Sequence, residues 1–233
     1  MIGNVARRIG PEPRSPVAAG LLSAWSVVAA GWLLFKPWPY PLVVLLVALT
    51  PWIAVWRIRR DPDLSLMSPH PGQGQQGLFL VWSLPAFALV VASVRHHFVD
   101  YASLLAIGVA LGAVLFAALV VAETDGRTVC ATLFAAAFAG AWGWGVVALT
   151  DVWLARDNFT VARGVVQRAE WHRRGGHQLT ISALVDGQRA VFDGLSVTED
   201  LYALHPVGAP VCVEIHEGLA GARHVYAVAC PAT

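Results

Sequence analysis

Apolar residues run without a charge through five stretches of the first 150 positions, and from Asp151 onward the pattern changes to short alternating segments. The stretches cover residues 17–35, 41–56, 78–94, 102–122 and 128–150. A helix needs roughly 20 apolar residues to cross a hydrocarbon core of about 30 Å. The first, fourth and fifth stretches meet that length, and the second and third draw on their flanks. The pattern therefore predicts a membrane all-α bundle of five transmembrane helices over residues 1–150, followed by a small all-β domain over residues 151–233.

Strands are predicted at Phe159 to Arg168, His177 to Val185, Gln188 to Leu195, Val211 to His216 and His224 to Ala229, where apolar residues recur at every second position. Asp186-Gly187 is a two-residue turn signal, because both positions of a type I′ turn need positive φ. Gly175-Gly176 marks another turn. Ser196 and Glu199 have capping-box spacing, which predicts one short helix ending near Leu204. Five strands with a helix before the fourth point to a small barrel, OB-like or SH3-like.

Composition supports a membrane assignment. Of the 233 residues 57% are hydrophobic and 13% charged, against about 25% charged in an ordinary soluble domain. Lys and Arg collect on the cytoplasmic side of membranes. Arg7, Arg8, Arg14, Arg57, Arg59, Arg60 and Arg127 fall on one side of the predicted bundle, and Lys36 and Arg95 on the other. The N-terminus is thus expected in the cytoplasm, and five spans deliver the domain after Thr150 to the outside. The first span reads as an uncleaved anchor, being longer than a signal peptide's apolar region.

A net charge of +1 with no basic run gives no case for nucleic acid. The expected partners are the lipid bilayer and another membrane or envelope protein. Trp38, Trp52, Trp56, Trp82 and Trp153 lie near span ends, where indole rings favour the interface, and Trp25, Trp142 and Trp144 lie farther in, where packing is expected. Gly108 and Gly112 have the spacing that lets another helix backbone approach, and Ala139 and Gly143 form a matching stripe on the fifth span. That stripe serves helix packing within the chain or a homo-oligomer.

Gly72-Gln-Gly74-Gln-Gln-Gly77 matches a dinucleotide fingerprint by letters only. Prolines precede it and an apolar span follows, whereas the fingerprint needs a strand before it and a soluble helix after. The Arg57 to Gly77 segment reads as a mobile cytoplasmic linker. No Asp, Glu, Lys, Arg or His lies inside the five stretches, which counts against proton-coupled carriage. His216-Glu217 fails the metalloprotease pattern, since position 220 is Ala220. No catalytic residue and no cofactor is assigned.

If the last two strands pair about a turn near Gly221, Cys212 and Cys230 come within reach of a disulfide, which suits an oxidising compartment. The same hairpin brings His216 near His224. With the two cysteines these are weak metal candidates, and His96-His97 form a second pair. Cys130 is expected to be a packing residue. Arg168, His172, Arg173 and Arg174 form a basic turn, either a solvated hairpin tip or a contact for an anionic partner.

Tyr202, Gly208, Val211-Cys-Val213 and Gly218-Leu-Ala-Gly221 before a closing Val-Tyr strand resemble the C-terminal domain of an uncharacterised family of bacterial multi-pass membrane proteins. The N-terminal Arg-Ile-Gly-Pro and the Lys36-Pro-Trp-Pro-Tyr-Pro41 link are similar too. The resemblance implies a bacterial inner-membrane location and carries over no site residue. The expectation is a non-enzymatic membrane protein presenting a β-domain for partner binding or complex stabilisation. A transport or channel subunit, and a redox or metal-handling protein using Cys212, Cys230 and the domain histidines, are the alternatives.

Overall fold

The computed structural model describes residues 16–35, 37–61, 64–65, 76–99, 101–123, 128–173, 176–218 and 221–230. Arg7, Arg8, Arg14, Lys36, Gly72, Gly74, Arg127, Arg174 and Gly175 lie outside them. In chain order the elements are α1 (Pro16–Phe35), α2 (Tyr40–Ile58), β1 (Leu64–Ser65), β2 (Gln76–Gly77), α3 (Phe79–Ser93), β3 (His97–Phe98), α4 (Ala102–Ala122), α5 (Val129–Leu154), β4 (Phe159–His172), β5 (Gly176–Val185), β6 (Gln188–Val197), α6 (Glu199–Leu204), β7 (Pro210–Glu217) and β8 (Arg223–Val228).

Among the described residues three helices, α2, α4 and α5, are long and apolar enough to cross a membrane. At 1.5 Å per residue the 15-residue α3 rises only about 22 Å, short of a hydrocarbon core. The chain forms two compact units: residues 1–89 with 111–142, and residues 90–110 with 143–233.

In the first unit α1 lies against α2, and Ser26 Oγ donates to the Leu80 carbonyl at 3.0 Å. Trp82 is fully buried, edge-on to Phe79 and Phe138, and so packs the interior instead of joining an interfacial belt. Trp142 donates to the Ala48 carbonyl and meets Trp52 edge-on, whereas Trp25, expected inside, is partly exposed. A Cβ on Gly112 would fall 2.7 Å from the Ala139 carbonyl oxygen, so α4 and α5 touch through backbone there. β1 and β2 form a two-residue parallel ladder inside the segment expected to be a linker. The hydroxyl of Ser65 reaches the buried Glu123 carboxylate at 3.4 Å. Cys130 is exposed in the first turn of α5, not packed.

The second unit is built on one curled antiparallel sheet, a half-barrel of order β3-β8-β7-β4-β5-β6. Its concave face buries Val166, Leu179, Ile181, Phe192, Leu195, Val211, Val213, Ile215 and Val225. Alternation explains the choice: these residues are apolar and share one side of their strands. Asp186 and Gly187 both have positive φ, as the two-residue turn requires. The helix cap falls two residues later than its sequence signature. β6 stays extended through Val197, pairing Ser196 with Gln178, so Thr198 takes the cap and accepts from the Leu201 amide. The sixth strand, β3, comes from the α3–α4 connection and pairs with β8, His97 opposite Val225 and Phe98 opposite His224.

Candidate functional site

The register sets a row of rings across the outer face of the half-barrel. Phe159 of β4 stands opposite His216 of β7, His216 opposite His224 of β8, and His224 opposite Phe98 of β3. Ring centroids along this row are 5.2, 5.0 and 6.0 Å apart. Phe98 then meets Trp144 of α5 edge-on at 5.8 Å. Cross-strand pairs of this kind are the unit of sheet stabilisation. A Cβ on Gly108 would sit 3.0 Å from the Trp144 backbone, which lets α4 and α5 close up beside the row.

One position along, Tyr226 lies opposite Glu214 and touches both histidines edge-on. Its hydroxyl shares a 2.6 Å hydrogen bond with His96 Nδ1. His216 Nδ1 faces the Ala155 carbonyl at 3.2 Å, tying the sheet to the end of α5, and its Nε2 faces Glu214 at 3.4 Å. The Ser196 amide donates to His97 Nε2 at 3.1 Å. The two histidine pairs, separate in sequence, therefore belong to one assembly joining the α3–α4 connection, the sheet and the last turn of α5.

His224 is 1% exposed, and its Nδ1 has no hydrogen-bond partner among the described residues. Burial, with the neighbouring His216 and His96 imidazoles adding repulsion, lowers its pKa to about 4. Burial lowers His96 as well, helped by Arg95 and His97, and burial alone lowers His97. The Tyr226 phenol is pushed up to about 12 by burial. At neutral pH His224, His96 and Tyr226 are uncharged groups within an aromatic packing.

Asp151 is buried one turn before the end of α5, with its carboxylate against Gly218. A side chain at Gly218 would occupy the carboxylate's place, which accounts for glycine there.

The structure joins Cys212 and Cys230 in a disulfide, with Cα atoms 4.9 Å apart. Cys212 is registered with Val228, so the bridge is diagonal to the ladder. The two sulfurs are thereby spent on each other. The His216 and His224 rings stack within 12° of parallel, which faces their planes together and does not converge their nitrogens. Among the described residues no group of three or more His, Cys, Asp or Glu is placed to hold a metal ion. Arg168 and His172, expected in a basic turn, lie on the extended β4 instead, because β4 keeps pairing with β5 through His172, and Glu170 between them sits 3.5 Å from Arg168 and 3.3 Å from His172.

The sequence signals missed here are those of β3, Tyr226, Phe159 and Asp151. A two-residue strand has no period to read, and Asp151 stands one position beyond the fifth apolar stretch while α5 continues to Leu154. Compared with models of protein families, with curated proteins and with solved structures, the chain matches none.

Proposed function

We propose that this chain is a non-enzymatic membrane protein that holds a small β-domain rigidly on the extracytoplasmic face for binding a partner or stabilising a membrane complex. The observation that carries the reading is the pairing of β3 with β8. It pairs the α3–α4 connection with the C-terminal sheet, which supports a common side for both, with α4 leading away and α5 returning. Two crossings between them fit five spans with a cytoplasmic N-terminus, and the basic residues of the sequence fit the same orientation. The Cys212–Cys230 disulfide fits an oxidising compartment. The resemblance noted above supports a bacterial inner membrane as the location.

The β-domain itself is OB-like in this reading. Its third strand, β6, precedes α6, and β4 lies between β5 and β7, as in a partly open five-stranded Greek-key barrel. Its outer face supports a binding role. Val161, Val165, Leu184 and Val191 are all about half exposed or more, and the register sets Val165 and Val191 on either side of Ser182. Apolar surface of this kind marks interaction sites when it is contiguous.

The test is native electrophoresis of gently solubilised membranes carrying the full chain. The protein should migrate in an assembly larger than the chain with its detergent, and Val165→Glu with Leu184→Glu should release it while leaving the Cys212–Cys230 bridge formed. Migration of the unmodified chain alone under mild conditions would refute the partner-binding role.

A further inference from the structure

In the second unit α3 ends and α4 begins beside a cavity of about 440 Å³. Its walls divide by polarity. Trp144 of α5, Tyr101 and Leu105 make one side largely apolar, and Tyr101 stands edge-on to Trp144 at 6.3 Å. The Trp144 N–H is spent on Ser93 Oγ at 3.1 Å, which leaves the ring itself as wall. His96 and His97 make the other side polar. His97 Nε2 accepts from the Ser196 amide, so the proton of that ring sits on Nδ1, an N–H with no hydrogen-bond partner among the described residues. When the Tyr226 hydroxyl donates to His96 Nδ1, the proton of the second ring sits on Nε2, likewise unpartnered among those residues. Arg95 lies between the lining residues Val94 and His96, is exposed, and makes no ion pair among the described residues. None of the described lining residues is acidic.

We propose that this cavity holds one anionic phospholipid, with its phosphate among Arg95, His96 and His97 and the start of one acyl chain against Tyr101, Leu105 and Trp144. Access supplies the first argument. Val94, Tyr101 and Leu105 are 73%, 53% and 46% exposed, and Leu105 lies in the first turn of α4, a helix long and apolar enough to span. The mouth of the cavity therefore opens where bilayer lipid runs past that helix. Charge supplies the second. One guanidinium without an ion pair, beside neutral N–H donors and no acidic lining residue, suits a phosphate whose headgroup carries no cation of its own. Phosphatidylglycerol has that character, and a zwitterionic headgroup does not. Size supplies the third. Ligand sites hold about 300–1,000 Å³, so 440 Å³ takes the headgroup and the first methylenes while the tails stay in the bilayer.

The proposal does not rest on the partner-binding reading, because the cavity and the outer face of the sheet share no residue. To test it, the full chain in mild detergent is titrated with dioleoyl-phosphatidylglycerol and, separately, with dioleoyl-phosphatidylcholine, and bound lipid is counted by native mass spectrometry. One saturable adduct is expected, favoured about fivefold for the anionic lipid on the contribution of a single arginine. Arg95→Gln should remove that preference. Leu105→Trp should fill the mouth and abolish the adduct, whereas Val109→Trp, exposed one turn farther along α4 and outside the lining, should keep it. Glycerol 3-phosphate at the lipid's concentration should leave the adduct in place; displacement would mark a site for soluble phosphate and overturn the lipid assignment. Equal binding of the two lipids by the unmodified chain, or an adduct that survives Leu105→Trp and keeps its preference in Arg95→Gln, would reduce the contact to ordinary bilayer lipid and overturn the proposal. If Leu105→Trp fails to fold, Arg95→Gln decides alone.

Discussion

Acidification should weaken the second unit through His224, and the size of the effect follows from its surroundings. In the unfolded chain this imidazole takes a proton below about pH 6.5, whereas in the fold it resists protonation until about pH 4. Between those values the unfolded state binds more protons, so stability is present above pH 6.5 and is lost as the pH falls toward 4. The full difference converts to about 3 kcal/mol once both states are protonated, and to about 2 kcal/mol at pH 5. His96 and His97, lowered in the same direction, add to the slope. The informative variant is His224→Phe. A phenyl ring keeps the stack between His216 and Phe98, and Nδ1 has no hydrogen bond among the described residues to forfeit. Thermal melts of the protein in nanodiscs, followed by near-ultraviolet circular dichroism from pH 7.5 to pH 5, give the readout. The unmodified chain should lose several degrees on acidification, and His224→Phe should recover about 2 kcal/mol of that loss. A variant that keeps the full slope, or an unmodified chain that gains stability in acid, would refute the assignment of a neutral buried His224.

Three further outcomes follow from contacts already described. Gly112→Ala should cost about 1–3 kcal/mol in a denaturant titration, because its new methyl meets the Ala139 carbonyl; Gly140→Ala, with open space around it, should be close to neutral. Cys212→Ser should lower stability by about 3 kcal/mol on the loop-entropy estimate for a separation of 18 residues, and reduction of the unmodified chain should match it in melting temperature. Gly218→Ala should destabilise by displacing the Asp151 carboxylate, and adding Asp151→Ala should restore part of the loss, measured as a double-mutant cycle of melting temperatures.

Long-period features were the legible ones. The five apolar stretches coincide with α1 to α5, although α3 is held to 15 residues, and the alternating segments after Asn158 coincide with β4 to β8. Gly187, the hairpin partner of Asp186, and the small residues Gly108 and Gly112 announced their contacts because their chemistry is local: positive φ in one case, a missing side chain in the other. The ring row was not legible. Phe159, His216, His224 and Phe98 become neighbours only through register between strands up to 126 positions apart, counting from 98 to 224, and register depends on the whole sheet. β3 escaped notice for a related reason. His97-Phe98 is too short to show alternation, and it becomes a strand because Val225 and His224 offer a free edge. The cap at Thr198 was misplaced by two residues since β6 competes with the helix for Ser196.

The central claim is that the α3–α4 connection and the C-terminal sheet share the extracytoplasmic side. Alkaline phosphatase and a fluorescent protein that matures only in the cytoplasm, each fused after Thr233 and expressed in a bacterial host, test it most directly. High phosphatase activity with a dark fluorescent fusion is the predicted result. A bright fluorescent fusion without phosphatase activity would put the sheet in the cytoplasm and contradict the account.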